Sequence, residues 1–187
     1  MTKNENKKNE GKKFESIIKS SAPPYLKITR IPDPPQSFTQ RDDTKFSKKN
    51  PYDFEVFDSV HRIQYCWELK STSQKYLTYH TCKEEEKDGK SANIQCHQIE
   101  GLTKASEYDN VIAGFLLNFR LDNGEQLLYF FNIKDFNKMR QTINKKSCNI
   151  MDISLNGGVK INGEKLRVNY RWNLDEFLKS QSKIYPL

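Results

Sequence analysis

Apolar residues recur along this chain with two different periods, and the changes of period mark its elements. In KKFESIIKSS, Phe14, Ile17 and Ile18 fall at i, i+3 and i+4, one face of a helix, with Glu15 beside that face and Pro23 and Pro24 ending it. YLKITRI then alternates Leu26 and Ile28 with Lys27 and Thr29, which predicts a strand. DFEVF predicts a second strand and RIQYCWELK a third. In the third, Ile63, Tyr65, Trp67 and Leu69 share one face, and Gln64, Cys66, Glu68 and Lys70 the other. Helical spacing returns with Ile94, Ile99, Leu102 and Ala105, in a helix that carries His97 and Gln98 in its early turns. NVIAGFLLNF is nearly unbroken apolar, as a strand covered on both faces should be, and EQLLYFF pairs with it across the turn LDNG. Ile133, Phe136, Met139 and Ile143 predict another amphipathic helix. A turn at LNGG, a short strand KLRVNY and a last helical turn LDEFLK follow. That order predicts an α/β fold with a mixed central sheet.

The stretches between these elements change the picture in two places. MTKNENKKNEGKK has five lysines, two glutamates and no large apolar residue after Met1, and reads as a flexible basic arm over 1–13. Residues 14–187 are then a single domain. PDPPQSFTQRDDTKFSKKNP is a connection of about 20 residues, longer than ordinary, and predicts a protruding functional loop at about 33–49. CKEEEKDGK reads as a solvated turn of mixed charge.

The chain of 187 residues carries a net charge of +7, which favours a polyanionic partner, nucleic acid first; the plain alternative is a basic solvated surface. No apolar run approaches the roughly 20 residues that cross a bilayer, and no apolar segment of signal-peptide type opens the sequence. A cytoplasmic protein without membrane contact is therefore expected. Cys66, Cys82, Cys96 and Cys148 form no CxxC pair and read as reduced thiols. His80 with Cys82, and Cys96 with His97, lack the spacing of a structural zinc motif.

The candidate chemistry sits at the ends of the second and third strands. If these are antiparallel neighbours joined by the short connector DSVH, Asp53 and Glu68 converge, and Lys70 projects to the same side as Glu68. Two converging carboxylates with room for water suit Mg²⁺, a hard ion that takes oxygen ligands. A lysine beside them can orient a metal-bound water and offset charge in a phosphoryl transition state. The same pattern on an exposed strand would be no more than a salt bridge.

PYD followed by ELK, within this order of elements, resembles the PD-(D/E)xK nuclease superfamily. More narrowly the chain resembles the RecU-type Holliday junction resolvases of bacteria and their phages. NEGKKFE, TRIPDPP, NPYDF, CWELKST, CHQIEGL, GFLLNFR, LLYFFNIKDF and LRVNYRWNLDEFL follow the order of that family's segments over most of the chain. The resemblance implies a restriction-endonuclease-like core with a protruding stalk loop. It implies catalytic roles for Asp53, Glu68, Lys70 and Glu15, metal ligation by Asp53, Glu68 and Gln98, and Mg²⁺ as cofactor, with Mn²⁺ able to substitute. Pro51 stands where the family has a threonine, so no ligand is carried to it, and the loop between Pro35 and Lys49 is shorter than the family's stalk.

The partner so implied is branched DNA, a four-way junction, cut by paired nicks in a homodimer; no small-molecule cofactor is implied. Most affinity would come from lysine and arginine contacts to phosphate. The candidates are Lys12 and Lys13, with Lys3, Lys7 and Lys8, in the arm, and Arg41, Lys45, Lys48 and Lys49 in the loop. Phe38 and Phe46 could stack on bases at a branch point or pack the loop onto the body, and Lys145 and Lys146 form a surface pair without a role. Two other readings stay open: a nuclease of the same fold acting on ordinary duplex, and a DNA-binding protein without catalysis.

Overall fold

The computed structural model describes residues 3–32, 49–81, 85 and 91–184. Helix α1 (Lys3–Ser21) buries Phe14, Ile17 and Ile18, the face that the sequence marks. It begins at Lys3 rather than near Phe14, so the backbone of residues 3–13 continues the helix where a flexible arm was expected. Lysine and glutamate, seven of these eleven residues, are good helix formers and outweigh Asn4, Asn6, Asn9 and Gly11. The protruding loop expected at about 33–49 lies outside the described residues except for Lys49.

Six strands form one sheet, in the order Leu26–Arg30, Phe54–Asp58, Ile63–Thr72, Val111–Arg120, Gln126–Asn132 and Val159–Ile161. Strand β1 (Leu26–Arg30) pairs antiparallel with β2 (Phe54–Asp58), and β2 pairs antiparallel with β3 (Ile63–Thr72), so the expected hairpin forms. The chain then makes the short strand β4 (Tyr76–Thr78) and helix α2 (Cys96–Ala105). It returns as β5 (Val111–Arg120), parallel to β3 with Glu68 beside Phe115. Strand β6 (Gln126–Asn132) runs antiparallel to β5 after a turn in which Gly124 takes a φ of +78°, a conformation glycine enters without penalty. Helix α3 (Ile133–Thr142), strand β7 (Ser147–Asn149), helix α4 (Ile150–Leu155) and edge strand β8 (Val159–Ile161) follow. Strands β9 (Gly163–Lys165) and β10 (Tyr170–Trp172) and helix α5 (Leu174–Ile184) complete the fold.

The sheet is covered on both faces, giving three layers and two cores. Ile63, Tyr65, Trp67 and Leu69 of β3 pack with Phe14, Ile17 and Ile18 of α1 and Phe177 and Leu178 of α5. On the other face Cys66, Phe115 and Leu117 pack with Ile99 and Leu102 of α2 and Phe136 and Met139 of α3. Glu68 and Lys70 therefore point toward the α2 layer, not to open solvent. This mixed α/β architecture agrees with the order read from the sequence.

Three details differ. KLRVNY is a hairpin turn rather than a strand: Leu166 N–H donates to Asn169 O at 2.7 Å, and β9 and β10 flank the turn. The β4–β7 pair and helix α4 were not anticipated, being too short to show a period. Lys145 and Lys146 are not idle surface charges; they pair with Asp152 and Glu85.

Candidate active site

Asp53 precedes β2 at the sheet's end nearest α2. Its N–H donates to Trp67 O at 3.1 Å, although Phe54 is the residue registered with Trp67. Two residues thus address one on the partner strand, the local doubling that a bulge makes and that re-aims a side chain. As a result Asp53 Oδ2 accepts the Leu69 N–H at 2.8 Å. Among the described residues its other oxygen accepts no hydrogen bond.

Glu68, only 2% exposed, lies one strand over. Its Oε1 receives both the Lys70 ammonium, at 2.9 Å, and the Gln98 Nε2–H. Burial pushes the Glu68 carboxyl up to about 7; Lys70 opposes the rise and the Asp53 carboxylate adds to it. Asp53 is likewise raised, first by its own burial, against the Leu69 N–H and Lys70. The Asp53 carboxylate is thus felt at Glu68, whereas the acid that acts on Asp53 is Glu15.

Gln98 stands at the third position of α2. Its Oε1 accepts the N–H of Gln95, the helix cap, at 2.9 Å while its amino group faces Glu68. Glu15 of α1 accepts a hydrogen bond from Arg30 Nε at 3.0 Å, and both charges act on Asp53 in opposite directions. Arg30 is a site residue that sequence reasoning missed. Nothing local signals it, because β1 meets α1 only in three dimensions.

A cavity of about 240 Å³ opens at Asp53, Glu68 and Gln98, with Lys49, Asn50, Tyr52 and His97 completing its wall. Burial, then Cys66 and then Glu55 raise the Tyr52 phenol, whose hydroxyl lies 3.2 Å from Glu55. Lys49 was expected to contact DNA and here borders the carboxylates. Lys12 and Lys13 are exposed on α1, whereas Arg41, Lys45, Lys48, Phe38, Phe46 and Cys82 lie outside the described residues. A larger hollow of about 570 Å³, lined in part by Ser21, Arg171, Trp172 and Asp175, lies away from Asp53 and Glu68.

The donor set fits a hard divalent ion. Asp53 and Glu68 each offer a carboxylate oxygen, and Gln98 would offer its carbonyl after its amide turns over. Among the described residues no three His, Cys, Asp or Glu side chains gather to hold a metal. Two carboxylates, with water completing the shell, is the habit of Mg²⁺ rather than of zinc.

No family model matches this chain. It is 32% identical over 197 residues to the SPbeta prophage-derived uncharacterized protein YotM of Bacillus subtilis (strain 168), across 96% of this chain and 92% of that one. The chain belongs to the YotM family. Among solved structures it is similar to Archaeoglobus fulgidus Hjc, a Holliday junction resolvase from an archaeal hyperthermophile. The TM-score there is 0.44 with 12% identity, over 80% of this chain and 91% of that one. No helix among the described residues of this YotM-family chain is long and apolar enough to cross a membrane.

Proposed function

We propose that this YotM-family protein is a Mg²⁺-dependent, structure-selective endodeoxyribonuclease of the RecU-type resolvase class, acting on four-way DNA junctions. The observation that carries the proposal is one buried glutamate, Glu68, whose Oε1 is shared by Lys70 and Gln98 at a cavity it lines with Asp53. A merely structural strand-end acid has no reason to be buried beside a second carboxylate at a cavity.

In this reading Asp53 and Glu68 would hold Mg²⁺, which when bound would supply positive charge at the scissile phosphate and make water easier to deprotonate. Every other step belongs to the chain itself. Lys70 lies 2.9 Å from Glu68, close enough to orient the attacking water and to oppose the charge that builds on the phosphoryl oxygens. Its ammonium donates only, so it positions and neutralises. Arg30 and Glu15 hold each other beside Asp53 and steady its charge. Gln98 tethers α2 to Glu68 and keeps the cavity wall in register. Lys49 at the cavity edge and Lys12 and Lys13 on α1 supply phosphate contacts, in a chain of net charge +7. Two paired nicks call for two such sites, hence a symmetric dimer.

A cleavage assay offering a four-way junction and a linear duplex of the same arms tests the substrate. Paired nicks in the junction alone, lost with EDTA, are expected. Equal cutting of both DNAs would retain the nuclease and remove the junction from the account.

A further inference from the structure

Two uncharged residues, Gly101 and Pro51, pack against each other between the helix that carries Gln98 and the segment that leads to Asp53. Gly101 follows Gln98 by three positions on α2, so both lie on one face of the helix. A Cβ added at Gly101 would stand 2.4 Å from Pro51 Cβ and 2.7 Å from both Pro51 Cα and Pro51 O. Two of those three atoms are backbone, so no change of rotamer relieves the collision. The φ of Gly101 is not positive, so its glycine answers a need for room rather than for backbone freedom. Within the helix alone, alanine would be better by about 1 kcal/mol.

Neither side of this contact is free to retreat. Two residues after Pro51, Asp53 is fastened through its N–H to Trp67 O at 3.1 Å and through its carbonyl to Ile31 N–H at 2.9 Å. The far side of α2 buries Ile99 and Leu102, and Thr103 Oγ1 accepts a hydrogen bond from Asn137 of α3 at 2.9 Å. A Cβ at position 101 has no free space to enter, so it must strain the seating of α2 on the Pro51–Asp53 segment and with it the spacing of Gln98 from Asp53.

We infer that Gly101, packed on Pro51, is the spacer that fixes the Asp53–Gln98 gap, which makes it a positioning residue for the divalent ion. The inference rests on the Mg²⁺ site proposed above. Mg²⁺ demands near-octahedral geometry with oxygens at about 2.1 Å, so a shift of a few tenths of an ångström is enough to weaken it.

Calorimetric titration of the metal-free full chain with Mg²⁺, without DNA, tests this in the parent, Gly101→Ala, Pro51→Gly and the double variant. Gly101→Ala should still unfold cooperatively in EDTA but bind Mg²⁺ about tenfold more weakly. The double variant, which lacks the nearest colliding atom, should regain part of that loss. Unchanged Mg²⁺ affinity in folded Gly101→Ala would overturn the spacer. Should Gly101→Ala fail to fold, the double variant is compared with Pro51→Gly, and equal affinities there overturn it as well. A parent that takes up no Mg²⁺ in a Glu68-dependent way would instead overturn the proposed metal site, and the inference with it.

Discussion

The β2–β3 hairpin buries an acid at each of its ends, and the two are used in opposite ways. At the connector, Asp58 is fully buried, and local donors claim both its oxygens. Val60 N–H at 2.9 Å and His61 N–H at 3.0 Å reach Oδ1, and His61 Nδ1 lies 2.8 Å from Oδ2. Its partners lie within three residues, and Arg62 completes the turn at a φ of +54°. At the other end, Glu68 draws its partners from β3 itself and from a helix thirty residues on, and they crowd a single oxygen beside a cavity. A buried carboxylate saturated by its own turn is architecture. One whose partners come from distant elements, with a second carboxylate nearby, is equipped to bind something.

Substitutions at the two ends should therefore separate activity from stability. Glu68→Ala should lower Mg²⁺-dependent cleavage on the order of a thousandfold while leaving a folded chain, as single-turnover assays with circular dichroism would register. Asp58→Ala should do the reverse. By leaving buried donors without an acceptor it should cost about 3 kcal/mol in urea unfolding, with cleavage per folded molecule unchanged. Lys70→Ala should cost about a hundredfold in the cleavage step with little change in Mg²⁺ affinity, a split that metal titrations run beside the kinetics would expose.

The smallest effect is a pH dependence. Glu68 keeps its proton up to about 7 in the folded chain, against an ordinary value of 4.5. An acid raised on folding contributes stability that is complete below 4.5 and is lost as pH rises through 7. Metal-free parent should thus lose on the order of 2 kcal/mol between mildly acidic and mildly alkaline pH, and Glu68→Gln should lack that loss. Urea melts in EDTA at both extremes would contradict this if the two proteins gave parallel profiles.

Much of this site is legible in sequence because strand and helix periods assign faces. The period of two put Glu68 and Lys70 on one side of β3, and helical spacing put Gln98 near the start of α2. The features missed are those made by tertiary approach. Arg30 meets Glu15 only because β1 ends beside α1, and the doubling opposite Trp67 that aims Asp53 leaves no mark in the pattern. Gly101 looks like an ordinary weak point in a helix until Pro51 is seen against it. The hairpin at KLRVNY was misread because its alternation belongs to a turn with Val168 exposed, not to a pleated surface. The helix at residues 3–13 was missed because it has no apolar stripe to announce it.

Cleavage of a four-way junction in Mg²⁺, per folded molecule, by the parent, Glu68→Ala and Asp58→Asn side by side decides whether Glu68 carries the chemistry. Paired nicks are expected from the parent and from Asp58→Asn, and none from Glu68→Ala or from any of them in EDTA. Cleavage that survives Glu68→Ala, or that is lost equally at both ends of the hairpin, would contradict that role.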